Sequence, residues 1–597
     1  MTELMTFDDP YDRRLALGVD GLLGEFNRAG VLTAADVRIA LRVAALAGEE
    51  SSTVALALAL AVRSVRHGST CVELSELTES LGGKTPELPW PAPQAWHAEV
   101  AASPLVEADV PVLRVEGRLI YLDRYAELER DLCRDLVERG TRPPPEPDEA
   151  LLAADLARLF PGEGYAEQRA AAESAARGWT SILTGGPGTG KTTALARLLA
   201  VLASQATSAG RPPLRVALAA PTGKAAARMK EAVAAVADAE AFTAEERAWL
   251  KGLAASTLHR LLGVRPDNGT RFRQDRDHRL SHDVVVVDES SMVSLTLMAR
   301  LVEAVRPDSR LILVGDPDQL ASIEAGTVLR DLVGGWGSGP ASPVSHLVSG
   351  HRFGSEISAL ADAVRDGDAE GAIAVLRAGH DTVRLVAADR LPSTMRDLLL
   401  PDARAMLDAA RDGRVDDALA VLDSHRLLCA HREGPFGATT WNDQVVHWLD
   451  EDAGHTLGRP WFAGRPVLVT ENDRGLRLYN GDTGITVPAG DGLAVVIAEE
   501  ARRRFAPSRL GMVHTAYAMT VHRSQGSQFD RVSVLLPGDD SRLLTRELLY
   551  TALTRAQTSV TLIGTEDAVR AAIDTRVQRA SGLAERLTVA VDKARGG

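Results

Sequence analysis

Between residues 11 and 66 apolar positions recur at helical spacing. Leu15, Leu17, Leu22, Leu23, Phe26, Val31 and Leu32 form one stripe, broken at Gly30, and Thr33-Ala-Ala-Asp36 supplies an N-cap for a helix starting near residue 34. The period then falls to two: residues 110–122 alternate about Glu116-Gly117, which predicts a hairpin, and a helix is expected over roughly 124–139. Arg142-Pro-Pro-Pro-Glu-Pro147 supports neither helix nor sheet and marks a domain boundary. Beyond residue 150, β-rich runs at 181–184, 214–219, 284–287 and 311–314 alternate with helical stretches, the pattern of a parallel sheet covered by helices. Residues 266–281 interrupt it with a type I′ hairpin signal at Asn268-Gly269. Residues 334–343 read as a flexible connector. Residues 466–512 read as the strands of a small β-barrel turning at Asn480-Gly481 and Asp491-Gly492.

Composition narrows the class. The 597 residues are 45% hydrophobic and 25% charged, a globular balance with length for about four domains. The longest apolar run, 54–62, stops at Arg63, too short to span a membrane, and the N-terminus is acidic where a secretory signal is basic. Cys71, Cys133 and Cys429 are too few and too scattered for a disulfide framework or a four-thiolate metal site. A cytoplasmic protein is expected. Residues 1–150 carry 15 Lys and Arg against 26 Asp and Glu. That region is a poor surface for DNA and suits a protein partner, so any polyanion must meet a local groove. Lysine is scarce, six against 61 arginines, so each one is an unusual choice.

Two of the six lysines fall in motifs. Gly185-Gly186-Pro187-Gly188-Thr189-Gly190-Lys191-Thr192 matches G-x-x-x-x-G-K-[ST], after one apolar run and before a helical one. Glycines let backbone N–H groups converge on phosphate, the helix N-terminus adds partial positive charge, Lys191 reaches the β- and γ-phosphates and Thr192 offers a hydroxyl to Mg²⁺. A glycine turn with a chance lysine is the alternative, and lysine scarcity argues against it. Val284-Val-Val-Val-Asp288-Glu289 is a strand buried on both faces that ends in two acids. Asp288 is expected to hold Mg²⁺ through water and Glu289 to orient and deprotonate the attacking water. Gln319, after the run 311–314, is placed to sense the γ-phosphate, and Arg352 and Arg555 are candidate cations for the developing charge.

The order of these pieces resembles superfamily-one helicases, most closely the RecD branch, over nearly the whole stretch from Gln168 to Ala556. Besides the phosphate loop, the matching blocks are Glu167-Gln168-Arg169, Ala220-Pro-Thr-Gly-Lys-Ala-Ala, Ser256-Thr-Leu-His-Arg-Leu-Leu and Val287-Asp-Glu-Ser-Ser-Met. They continue with Gly315-Asp-Pro-Asp-Gln-Leu, His351-Arg-Phe, Ala518-Met-Thr-Val-His-Arg-Ser-Gln-Gly-Ser-Gln-Phe and Thr545-Arg-Glu-Leu-Leu-Tyr-Thr-Ala-Leu-Thr-Arg-Ala. The resemblance implies an α/β fold of two RecA-like P-loop domains with ATP in the cleft between them, and a helicase moving 5′ to 3′. It makes Arg352 and Arg555 arginine fingers from the second domain and Gln168 the adenine reader, with Thr193 completing the loop's nucleotide contacts. It places Pro221, Thr222, Lys224, Thr257, His259, Thr520 and His522 against single-stranded DNA, and adds Asn442. The hairpin near Asn268-Gly269 resembles the family's strand-separating pin, and residues 466–512 its inserted barrel. Two positions depart from the family pattern: Arg523 stands where relatives often have Lys, and Gln528 where they often have Glu.

The implied organisation is an N-terminal helical partner-docking domain (1–147), a first motor domain (148–340) and a second (341–597). Asp12-Arg-Arg-Leu-Ala-Leu-Gly-Val-Asp-Gly-Leu-Leu is similar to the module by which RecD-type subunits dock on RecC. The partners implied are RecB, RecC and single-stranded and duplex-end DNA, in double-strand-break repair and recombination, with no membrane. The residues two before each lysine are Gly82, Thr189, Thr222, Arg228, Trp249 and Val591, so the acid-x-Lys signature of a RecB-type nuclease is missing. A stand-alone repair helicase and an ATP-driven DNA clamp without unwinding activity remain alternatives.

Overall fold

Four consecutive valines shape the first lobe. In the computed structural model, Val285 and Val287 of strand Val284–Val287 pack into one apolar core while Val284 and Val286 pack into another, so the strand is buried on both faces. The structure describes residues 4–596 apart from 6, 8, 10, 266–267, 338, 340–341, 349–354, 389–390, 456, 458–459, 474, 499–501, 539–540 and 542. The strand lies inside a six-stranded parallel sheet ordered Val344–Leu347, Thr180–Gly185, Arg310–Gly315, Val284–Val287, Val216–Ala220, Ala255–Thr257. Helix Lys191–Ser208 covers one face and helix Leu295–Ala304 the other. A second sheet, also parallel, is ordered Val383–Val386, Ala556–Ile563, Phe529–Leu535, His425–Cys429, Ala518–Thr520 and likewise sits between two cores. Two parallel sheets with helices on both faces are the RecA-like helicase architecture.

The N-terminal helices form where expected. Thr33 accepts from the Asp36 amide while Asp36 accepts from that of Thr33, and the helix Ala34–Ala47 ends on Gly48 in the left-handed region (φ 71). The hairpin Leu113–Glu116/Leu119–Leu122 turns at Gly117 (φ 57) and gains a third strand, Cys71–Glu73. The next helix, Asp123–Thr141, packs Leu128, Leu132 and Leu136 into the core of the first sheet. Its Arg139 is buried, donating to the carbonyls of Trp179, Arg306 and Ser309.

Three local expectations change. The hairpin after residue 263 is shorter than 266–281, comprising Val264–Arg265 and Asn268–Phe272, so Asn268 and Gly269 belong to its second strand. Its Phe272 is pulled back into the first core. In place of a barrel confined to 466–512, residues 466–515 contribute a five-stranded antiparallel sheet ordered Arg504–Phe505, Gly492–Ile497, Thr483–Ala489, Pro466–Val469, Val513–Thr515. Finally, helix Leu583–Gly596 inserts Leu583, Leu587 and Val591 into the core of the first sheet, so the chain crosses back from the second lobe at about residues 575–582. No helix among the described residues is long and apolar enough to cross a membrane. The three cysteines are buried and free.

Candidate nucleotide cleft and nucleic-acid face

Strand Thr180–Gly185 ends in the glycine loop, and helix Lys191–Ser208 begins directly after it. Gly188 (φ 86) and Gly190 (φ 82) make the turn, and a Cβ on Gly190 would stand 2.5 Å from Gln168 Nε2. Lys191 donates from Nζ to the carbonyls of Gly185 (2.6 Å) and Gly186 (2.8 Å), so its ammonium hangs over the loop. Desolvation pushes its pKa below the ordinary lysine value, against the pull of Asp316, Asp288 and Glu289. Gln168 is buried under the loop and its Oε1 has no hydrogen-bond partner, an acceptor left for a donor such as an adenine amino group.

Asp288 and Glu289 follow the valine strand into the same cleft. Desolvation, then the neighbouring Glu289 charge, raises the Asp288 carboxyl above the ordinary carboxylate range, while Lys191 opposes the rise. Glu289 occupies the left-handed region (φ 51), a strained conformation for a non-glycine residue, and it turns the chain sharply off the strand. A carboxylate and the Thr192 hydroxyl in one cleft are hard oxygen donors of the kind Mg²⁺ takes beside phosphate oxygens. Among the described residues there is no cluster of three or more His, Cys, Asp or Glu placed to hold a metal ion.

The other wall belongs to the second lobe. Arg555, 2% exposed, donates from Nη2 to Gln319 Oε1 at 2.9 Å. Gln319 Nε2 donates to Asp316 Oδ2 (3.0 Å), which also accepts from the Tyr550 hydroxyl (3.0 Å). The Thr551 hydroxyl accepts from the Leu320 amide, and Gln525 donates to the Leu320 carbonyl. Arg228 of the first lobe donates to Gln528 Oε1 (2.6 Å) and to the Gly526 carbonyl. These contacts enclose a cleft of about 830 Å³ that takes in Gln168, Pro187, Gly188, Gly190, Lys191, Thr192 and Thr193 from one side, and Gln528 and Arg555 from the other. Gly185, Gly186 and Thr189 complete the loop. Arg352 lies outside the described residues. Tyr550 and Arg228 were not singled out from sequence; Arg228 stands one turn beyond Lys224 on helix Gly223–Val236, a spacing that could have flagged it.

The expected DNA contacts divide. Thr257 and Thr520 end strands and Thr222 stands two residues beyond one, and all three cap helices, their hydroxyls accepting from the amides of Arg260, Arg523 and Ala225. A capping hydroxyl uses its oxygen and keeps its O–H as a donor. Pro221 is half-buried beside Thr222. His259 is exposed, edge-on to the Phe272 ring at 5.9 Å. Burial pushes the His522 imidazole below its ordinary pKa, with Arg579 adding to the effect. Lys224 lies in the seam with the second lobe, 5.8 Å from the Phe529 ring, and burial lowers its pKa to about 8. Asn442 departs from the expectation: it is buried and bonds in both directions to the backbone of Ala518, which fixes the edge strand Ala518–Thr520 instead of facing a ligand.

Comparison with known proteins places three family models on the chain. Residues 28–119 match the N-terminal domain of RecBCD enzyme subunit RecD, 168–325 an AAA domain, and 515–563 a UvrD-like helicase C-terminal domain. RecBCD enzyme subunit RecD of Mycolicibacterium smegmatis is 54% identical, covering 94% of this chain and 98% of that protein. RecBCD enzyme subunit RecD of Mycobacterium tuberculosis H37Rv is 53% identical, covering 96% and 98%. ATP-dependent RecD2 DNA helicase of Deinococcus radiodurans is 29% identical, covering 95% of this chain and 72% of that one.

Proposed function

The chain belongs to the family of RecBCD enzyme subunit RecD, and on that premise we propose that it is the ATP-dependent, 5′-to-3′ DNA helicase subunit of a RecBCD-type helicase–nuclease. Its partners are RecB and RecC subunits and single-stranded and duplex-end DNA, and it works in the cytoplasm in double-strand-break repair and recombination. The observation that carries the reading is the 2.9 Å bond from Arg555 of one lobe to Gln319 of the other, at the wall of the phosphate cleft. A guanidinium contributed across a seam can be withdrawn and returned by lobe motion, which is how hydrolysis is coupled to movement.

In this reading Gln168 Oε1 accepts from adenine, the loop amides and Lys191 hold the β- and γ-phosphates, and Thr192 and Asp288 hold Mg²⁺. Held there, such an ion would supply positive charge to offset that of the phosphate oxygens. Glu289 orients water and takes its proton. Gln319 reads the γ-phosphate and passes its presence to Arg555. Thr222, Thr257 and Thr520 donate their O–H groups to backbone phosphates, with Pro221, His259 and His522 along the same face; such contacts track a strand without reading bases. The organisation proposed is an N-terminal docking unit (1–147) and two motor domains (148–340 and 341–597), with strand Val344–Leu347 and helix Leu583–Gly596 of the last span packed on the first motor domain. The sheet at 466–512 is read as the family's small barrel: Val467, Val469, Val495, Ile497 and Phe505 gather into a core of its own, as the inside of a barrel does.

The test is unwinding of duplexes carrying a 5′ or a 3′ overhang, by wild type and Lys191→Ala. Unwinding from the 5′ overhang with near-complete loss in the variant is expected. DNA-stimulated hydrolysis without strand separation would instead make the protein a clamp. Co-purification with two large subunits separates the complexed helicase from a solitary one.

A further inference from the structure

A second cavity, of about 330 Å³, opens where three parts of the chain meet. The N-terminal unit contributes Arg66 and His67, at the end of helix Ser52–Arg66. The first lobe contributes Gln319, Leu320, Ile323 and Arg330; the second lobe and the returning segment contribute His522, Glu547 and Arg579. Gln319 therefore lines both this cavity and the nucleotide cleft.

The rim is built, not incidental. The Gly326 amide donates to the Gly68 carbonyl (3.0 Å), the Thr70 amide to that of Ala580 (2.9 Å), and the Ala580 amide to Ser69 Oγ (3.1 Å). Gly68 sits in the left-handed region (φ +86), which favours glycine, and the position of its missing Cβ lies 2.7 Å from the Arg579 guanidinium carbon, so the arginine packs directly over it. Arg579 Nη1 donates to the Ser322 carbonyl (2.6 Å), and its Nε is buried with no partner. Arg330 is paired with Glu547 at 3.2 Å, the one acid among the described lining residues, and Arg66 is paired with Asp36 at 2.7 Å, outside the cavity. The lining is left with a positive excess. Within it Ile323 is 78% exposed, a large apolar side chain offered to solvent beside guanidinium groups.

Cations around an exposed apolar surface suit one nucleotide of a single strand, whose phosphate wants the charge and whose base wants the apolar face. We propose that this junction seats a backbone phosphate against Arg66 and Arg579 and the adjoining base against Ile323, so that the N-terminal unit forms one wall of the strand path. An anion supplies the acceptor that Arg579 Nε lacks. It also relieves the crowding of like charge from Arg330 that, after burial, holds the Arg579 pKa down. The region is acidic as a whole, but the helix end it presents here is not. The inference rests on the reading of the chain as a DNA motor.

The test is equilibrium binding of fluorescent oligothymidylate to the full chain over a range of salt. Ile323→Ala is expected to weaken binding about fivefold and Ile323→Trp to tighten it by a similar factor, a gain that misfolding cannot produce. Arg66→Gln is expected to flatten the dependence of log K on log salt by about 0.7, the loss of one phosphate contact. Wild-type binding with all three variants unchanged overturns the seat and leaves the motor standing. Failure of the wild type to bind oligothymidylate overturns both.

Discussion

At the scale of single residues, the decisive groups are charges held where water is scarce. Among the described residues Arg555 pairs with no acid directly; it donates to Gln319 and to the carbonyls of Thr551 and Ser527 and waits beside Lys191, Asp316 and Glu289. A forked, always-charged cation in that place serves a transition state better than a ground state. Replacing it with alanine is therefore expected to lower kcat for ATP by about 10³-fold while KM moves little, read from steady-state hydrolysis with saturating single-stranded DNA. Lys224 gives a pH dependence. Its folded pKa of about 8 lies below the ordinary lysine value, so it is charged below pH 8 and loses that charge as pH rises through it. DNA affinity is expected to weaken between pH 7 and 9 in the wild type and to stay flat in Lys224→Arg, measured by binding titrations at constant salt. Lysine scarcity and the family resemblance made Lys224 conspicuous, but they could not show that the lysine would be drawn into the seam against Phe529.

At the scale of elements, the same small polar residue does two jobs. Thr222, Thr257 and Thr520 were read from sequence as phosphate contacts, against the alternative that such residues are caps. The structure makes all three caps at strand-to-helix turns, and this leaves their O–H groups available. Thr222→Asp separates the roles: aspartate is as good an N-cap as threonine but repels phosphate. Its melting temperature is expected to stay close to wild type while single-strand affinity falls, whereas unchanged single-strand affinity in this variant would show that only the cap matters. The β-rich runs of the first lobe were legible because strands buried on both faces must be apolar without interruption. Strand Val344–Leu347 was not, because its register beside Thr180–Gly185 is set by partners 160 residues away in sequence and its own pattern is short and mixed.

At the scale of the whole molecule, the chain crosses between lobes twice. It leaves the first after strand Val344–Leu347 and returns through residues 575–582 to lay helix Leu583–Gly596 on the first core. The last helix thus belongs energetically to a sheet completed more than 200 residues earlier. Leu587 is fully buried there, so Leu587→Ala is expected to cost about 2–5 kcal/mol, seen as an earlier midpoint in urea denaturation of the full chain. An unchanged midpoint would mean that the helix is not held in the core. The returning segment also ties the N-terminal unit to both lobes. Glu129, buried, accepts from Thr70 (2.5 Å) and from Ser581 (3.1 Å).

The linear chain by itself determined the chemistry available. Order and spacing picked out the glycine loop, Lys191, Asp288, Glu289 and Gln319, because phosphate and water demand those groups at the ends of particular strands, and a strand end is a local property; the family resemblance added Arg352 and Arg555. It determined the class of fold for the same reason, since burial on two faces writes itself into the hydrophobic period. Tertiary structure alone decided which of these groups meet. Arg555 reaching Gln319, Tyr550 bonding Asp316, Asn442 spent on a neighbouring strand and the last helix folding back on the first core are contacts between segments far apart in sequence. Such pairings depend on how two separately folded sheets dock, and no repeating pattern along one segment records the surface of another.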